Sequence, residues 1–206
     1  MSRPVDMAEP VFVNPETDYQ IKSYRDGVPL YYAENPLNDL FTLSITFDIG
    51  RYHQDKIGVA AMFLNRSGAS QYSAEELQKE WYKLGTSFNF GAGTYQTNFS
   101  ISGLDENFDA SLALMMDCAK NPKASQEKLD ELIKIILVNR EDAKKNFRSI
   151  HQAVIQYNRF GKASQYLSMT PNEEIQKATV EALHGMVEDL FKYKHTIAYI
   201  GTLPIE

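Results

Sequence analysis

Cysteine is all but missing from this chain. Among 206 residues there is one, Cys118, which excludes an internal disulfide and any cysteine-built zinc knuckle. It sits on the apolar side of a helical pattern, which predicts a buried, unreactive thiol. A disulfide-free chain fits a bacterial cytoplasm and a periplasm equally, so the compartment stays open. No apolar run approaches the roughly 20 residues needed to span a bilayer, so no transmembrane segment is expected. The first residues lack the charged-then-apolar profile of a signal peptide. Positive charge is in deficit: 21 Lys and Arg stand against 27 Asp and Glu, for a net charge of −6. That balance argues against nucleic acid or an anionic membrane as partner.

Histidine is sparse as well. His53, His151, His184 and His195 are the whole set, and no two stand at a ligand-like spacing. His53 with Asp55 reads as a solvated loop, and His184 beside Gly185 as part of an exposed helix face. His195 is expected to open a strand and satisfy a main-chain carbonyl. No G-x-S-x-G elbow is present for nucleophilic catalysis. Gly91-Ala92-Gly93 lies in a hairpin with no helix start behind it, so it is no phosphate loop. The acids Glu75, Glu76 and Glu80 read as a charged helix face rather than a catalytic cluster.

What the chain does have is clear periodicity over most of its length. Residues 1–20 contain Pro4, Pro10 and Pro15 and little pattern, so they read as a leader or linker, leaving 21–206 as a single domain with ample core. Ile21–Tyr24 and Val28–Tyr32, joined by Arg25-Asp26-Gly27, predict a hairpin. Phe41–Ile49 alternates as a half-buried strand. Ile57–Arg66 is almost wholly apolar and predicts a short buried helix. Ser73-Ala74-Glu75-Glu76 is a capping box, opening a helix striped by Leu77, Trp81 and Leu84 and stopped at Gly85. Phe88–Gly91 and Gln96–Gly103 predict a second hairpin. Helical spacing follows over Asn107–Lys120 and most of Ser125–Phe160, with a late stripe at Ile150, Val154 and Ile155. The polar run NREDAKKNFR predicts exposure or a bend between the two stripes. Thr170-Pro171-Asn172-Glu173 reads as another capping box, with a break near Thr179, a helix to about Lys192 and a closing strand Thr196–Gly201. Strands that pair mostly locally, with helices in blocks, give an α+β fold in two layers: a mostly antiparallel sheet with helices packed on one face. The 12 Tyr and 11 Phe are expected to serve packing and interfaces.

The stretch Lys56–Leu84 and the hairpin after it resemble the zinc-binding segment of the pitrilysin/insulinase peptidases. In that family a Gly-led helix carries HxxEH, followed by a short turn, "YS-x-EEL", a second helix and "LG-x-x-FN". This chain matches with Gly68-Ala69, Tyr72-Ser73, Glu75-Glu76-Leu77, Leu84-Gly85 and Phe88-Asn89. "NDLFTLSITFDIGRYHQ", "SGLDENFDASLALMMDCAKNP" and "YKHTIAYIGTLP" are similar to further family segments, so the likeness runs over residues 20–204. The metal chemistry does not follow. Two His one turn apart share a helix face and bind one ion, with Glu activating water and a carboxylate supplied later. Aligned on Gly58, the His positions are Ala61 and Asn65 and the Glu position is Leu64. Aligned on Gly68-Ala69, two residues away, His and Glu are absent too. The later helix has Ile136-Leu137-Val138-Asn139-Arg140, with its first acid at Glu141. No catalytic, cofactor-binding or metal residue is therefore expected.

The resemblance then implies a non-catalytic, processing-peptidase-like domain that packs against sister domains and walls a substrate chamber. The zinc and the peptide hydrolysis would belong to a sister domain. "KLG-x-S-FNFGAG" and "SGL-x-ENF" resemble an internal, third-position domain. The resemblance makes Phe88–Ala92 a peptide-binding sheet edge, where extended peptide would add as a strand and meet Asn89, Gly91 and Ala92. The alternative is a free-standing inactive subunit or interaction protein that pairs with a separate catalytic peptidase subunit. Isolated copies, with an apolar face left bare, are expected to be able to form a homo-dimer.

Overall fold

Alternation and capping decide most of the elements in the computed structural model, which describes residues 12–204. Residues 1–11 of the expected leader or linker lie outside the described residues; 12–18 are exposed. Strand β1 (Gln20–Arg25) turns into β2 (Val28–Glu34) through Asp26-Gly27. Gly27 has φ +75°, a conformation that side chains with a Cβ resist. Strand β3 (Leu40–Phe47) buries Phe41, Leu43, Ile45 and Phe47 on one face. Helix α1 (Ile57–Leu64) buries all but Gly58 and Met62, as its apolar sequence requires. Strand β4 is the dipeptide Gly68–Ala69.

Helix α2 (Ala74–Lys83) begins in the predicted capping box. The Ser73 N–H donates to Glu76 Oε2 at 2.8 Å, and the Glu76 N–H donates to Ser73 Oγ at 3.3 Å. These bonds hold the Glu76 carboxyl below the usual carboxylate range. Strands β5 (Ser87–Ala92) and β6 (Thr97–Leu104) form the second hairpin. Helix α3 (Phe108–Lys120), strand β7 (Pro122–Lys123), helix α4 (Gln126–Ala143) and helix α5 (Phe147–Phe160) follow. The polar run between α4 and α5 breaks the helix: Asn146 caps α5 by accepting from the Ser149 N–H at 3.1 Å. Helices α6 (Asn172–Gln176) and α7 (Val180–Leu190) lead to the last strand, β8 (His195–Gly201).

One capping box fails. Thr170 does not cap α6; its hydroxyl donates to the Asp55 carbonyl instead, and Pro171 stands at the N-cap of α6 with no side-chain cap. Thr179, by contrast, does cap α7, accepting from the Ala182 N–H at 3.2 Å.

The main sheet has six strands in the order β1-β2-β8-β3-β6-β5, and a second, two-stranded sheet joins β4 to β7. Every pair in the main sheet is antiparallel except β2–β8. The last strand of the chain thus enters the middle of the sheet. Register lines up one apolar row across five strands: Tyr32, Tyr199, Leu43, Ile101 and Phe88. Helices α1, α3 and α7 cover this side, and Val187, Leu183, Leu190, Met115 and Leu129 are buried beneath it. The opposite face is a ladder of small polar groups, with Ser87, Ser102 and Thr42 in one row and Asn89, Ser100 and Ser44 in the next.

The end of β8 is tied down by Asp105. Its carboxylate accepts from Tyr199 Oη at 3.0 Å, the Thr202 N–H at 3.1 Å and Thr202 Oγ1 at 2.8 Å. A Cβ on Gly201 would stand 2.2 Å from Tyr199 Oη, so glycine alone fits beneath the ring. Burial first, and then the neighbouring Asp105, push the Tyr199 phenol up to about 12.

Candidate functional site

The positions that align with the HxxEH residues lie in the last turns of α1 and at its C-terminal end, beside edge strand β5. Ala61 and Leu64 are buried in the core with Val59, Ala60 and Phe63. Neither side chain carries a donor atom. Asn65, the residue at the second His position, sits at the C-terminal end of α1 and is half-buried. Its amide is fully engaged: Nδ2 donates to the Phe90 carbonyl at 2.9 Å, and Oδ1 accepts from the Phe90 N–H at 3.0 Å. Phe90 is itself buried, stacked on Phe99 with centroids 4.2 Å apart.

The later helix answers in the same way. Around Ile136–Arg140, where the family resemblance implies an acid, Arg140 reaches across to the loop before α6. Its Nη1 donates to the Thr170 carbonyl at 2.8 Å and to Asn172 Oδ1 at 2.6 Å. Partial burial lowers its basicity somewhat from the ordinary guanidinium value. A cation in that place repels a metal ion rather than holding one. Among the described residues, no three His, Cys, Asp or Glu side chains converge as ligands would. An apolar pair, an engaged amide and an arginine do not fit zinc.

The histidines take separate places. His53 Nδ1 accepts from the Gly50 N–H at 3.1 Å inside a turn. His195 donates from Nδ1 to the Tyr193 carbonyl at 2.8 Å, the strand-entrance role expected of it. His151 lies on α5 against Phe147. His184 departs from expectation: it is pressed on Phe63 with centroids 6.1 Å apart, and its Nε2 is buried without a partner. Burial holds that imidazole below its usual basicity. The α7 pattern did not reveal this, because the covering ring comes from α1. Cys118 is buried, and burial pushes its thiol up to about 12, with Asp117 adding to the effect.

Asn89, Gly91 and Ala92 all lie on β5, the outer strand of the sheet. Asn89 and Gly91 belong to the open polar face beside Asn98; a Cβ on Gly91 would come within 2.8 Å of Asn98 Oδ1. Ala92 ends the strand just before the Gly93–Gln96 turn, where the Gly93 N–H donates to the Gln96 carbonyl at 2.8 Å.

Far from this corner, α5 stands apart. None of its residues is buried, although Phe147, Ile150, Val154, Tyr157 and Phe160 recur at helical spacing. The same segment carries Lys144, Lys145, Arg148, Arg159 and Lys162, with no carboxylate between Asp142 and Glu173. The apolar stripe at Ile150 and Val154 was legible in the sequence; that no described residue buries it was not. No described helix is long and apolar enough to cross a membrane.

Comparison with known proteins agrees with this architecture. The family model described as Insulinase (Peptidase family M16) matches residues 31–166. No curated protein matches the chain. Among solved structures, the peptidase M16 inactive domain from Pseudomonas fluorescens superposes with a TM-score of 0.75 at 18% identity, over 91% of this chain and 47% of that one. A mutant of the ferredoxin protease FusC, in complex with Arabidopsis ferredoxin, gives 0.72 at 14% identity, over 99% of this chain and 25% of that one. The periplasmic protease PqqL from Escherichia coli gives 0.71 at 12% identity, over 99% and 24%. The chain thus spans from about a quarter to about half the length of these neighbours. With the matched segment covering most of the described fold, the chain belongs to the insulinase family of peptidases, family M16.

Proposed function

We propose that this domain is a non-catalytic unit of a zinc metalloendopeptidase, which packs against sister domains and forms part of the wall of a substrate chamber. The observation that carries the reading is the filling of the HxxEH positions: Ala61 and Leu64 pack in the core, and Asn65 is bound to Phe90. The residues that would hold zinc belong, on this reading, to a catalytic sister domain. The bare stripe on α5 supplies a face for packing, and its cations suit an acidic neighbour. The helix-free side of the sheet suits a wall. Its Ser, Thr and Asn side chains offer hydrogen bonds to a passing peptide without the apolar grip that would retain it. Asn89 and Gly91 would meet peptide from that face, and Ala92 at the end of the strand. The length of the neighbouring proteins, two to four times the span of this fold, supports a multi-domain parent.

The test is zinc content and peptide cleavage. The purified chain is expected to hold no stoichiometric zinc and to leave an unstructured casein substrate intact. One equivalent of zinc with chelator-sensitive cleavage would overturn the reading. An HxxEH domain in the flanking reading frame supports a fragment of a larger peptidase, whereas stop codons at both ends support a separate inactive subunit.

A further inference from the structure

The outer edge of β5 is where an extended peptide could add to the sheet, since edge strands carry unpaired N–H and C=O groups. Along an antiparallel strand the groups of alternate residues point to opposite sides. Because the Phe90 N–H and C=O both point to Asn65, the outward set on β5 is Phe88, Phe90 and Ala92, while Asn89 and Gly91 bond inward to β6. Asn65 gives Phe90 one donor and one acceptor at 2.9 and 3.0 Å. That is the same pair of bonds that one residue of an incoming antiparallel strand would make.

We infer that Asn65 closes the β5 edge to strand addition, its side-chain amide acting as a one-residue substitute for a neighbouring strand. The position is decisive because Phe90 lies midway between the other two outward rungs. Phe88 and Ala92 have no hydrogen bond outside the β5–β6 ladder among the described residues. They are separated by about 13 Å at the usual rise per residue, with the Asn65 amide between them. A peptide laid along β5 would have to expel that amide and leave a half-buried donor and acceptor without partners. The amide is held in place from behind by α1, whose last turn is buried at Ala61, Phe63 and Leu64. The residue aligned with a metal ligand has therefore become a latch between helix and strand. Peptide that meets this domain does so on the open face, at Asn89 and Gly91, rather than as a seventh strand. This inference goes beyond the non-catalytic reading and holds whether or not a sister domain carries zinc.

The experiment compares the whole chain with Asn65→Ala and Asn65→Asp, using amide hydrogen exchange by NMR and a fluorescein-labelled ten-residue peptide of alternating Thr and Ala. In the wild-type chain the Phe90 amide is expected to be protected and the peptide not to bind. In Asn65→Ala, Phe90 should exchange at least tenfold faster while the central amides of β3 and β6 keep their protection. The added peptide should then bind and protect Phe88, Phe90 and Ala92 together. Asn65→Asp keeps the acceptor for the Phe90 N–H, so Phe90 should stay within threefold of wild type and the peptide should still be excluded. This variant retains a test should Asn65→Ala unfold. Three results would each overturn the inference: peptide protecting those amides in the wild-type chain, unchanged Phe90 exchange in a folded Asn65→Ala, or an opened edge that still refuses the peptide.

Discussion

The α1–β5 corner and helix α5 are built from similar residues and end in opposite states. In the corner, Phe63, Leu64 and Phe90 are buried, and the polar atoms at its rim are matched by Asn65. On α5, an apolar stripe lies open among the described residues, while of the cations flanking it Lys144 and Lys145 pair with Glu141 and Asp142 at the end of α4. The corner has three layers of neighbours from one chain: the helix, the sheet and α7. Among the described residues, helix α5 packs chiefly against the turn that follows it. The difference teaches that the same apolar periodicity gives a closed corner where helix and sheet of one chain meet, and an open face where no described element lies against it.

Truncating one ring in each region gives the largest contrast. Phe90→Ala removes a side chain that is 1% exposed and should cost about 3–5 kcal/mol in urea unfolding. Phe147→Ala, at 82% exposed, should stay within about 0.5 kcal/mol. Equal losses would break the comparison. Next comes Arg140→Ala, which leaves the Thr170 carbonyl and the Asn172 amide oxygen without their donor; about 1–2 kcal/mol is expected, with only partial recovery in Arg140→Lys.

A pH series sharpens the same contrast at the Tyr199 knot. The folded state holds the phenol proton more tightly than the unfolded chain, so the stabilisation is whole below pH 10 and is lost as pH rises towards about 12. Denaturant midpoints of the wild-type chain and Tyr199→Phe should therefore converge across that window; parallel curves would refute the assignment. The smallest stability effect is expected on α5. The double change Ile150→Glu with Val154→Glu should leave the unfolding midpoint nearly unchanged while abolishing the concentration-dependent self-association expected of the isolated chain in sedimentation velocity. A variant that unfolds instead would mean that the stripe packs within the chain.

Local chemistry was legible and long-range choice was not. The alternation of Phe41–Phe47 and the reciprocal bonds of Ser73 and Glu76 follow from neighbours in sequence, and both appear where expected. Thr170 shows the limit: the same motif failed because the hydroxyl found the Asp55 carbonyl, a competitor that no local pattern records. The absence of ligand residues at Ala61, Leu64 and Asn65 could be read directly. What Asn65 does instead could not, because its partner Phe90 is brought near only by the fold. Periodicity likewise marks the apolar side of α5 without saying whether anything lies against it.

The parallel seat of β8 sets an order of assembly. His195–Gly201 follows every other described strand in sequence, yet it pairs with β2 on one side and β3 on the other. Until it arrives, the β1–β2 hairpin has no hydrogen-bonded link to the β3-β6-β5 half of the sheet. Such distant pairings form late and slowly. During synthesis, two sheet fragments must therefore wait with open edges until β8 leaves the ribosome. A chain cut before His195 would lose one strand in length but the whole sheet in continuity.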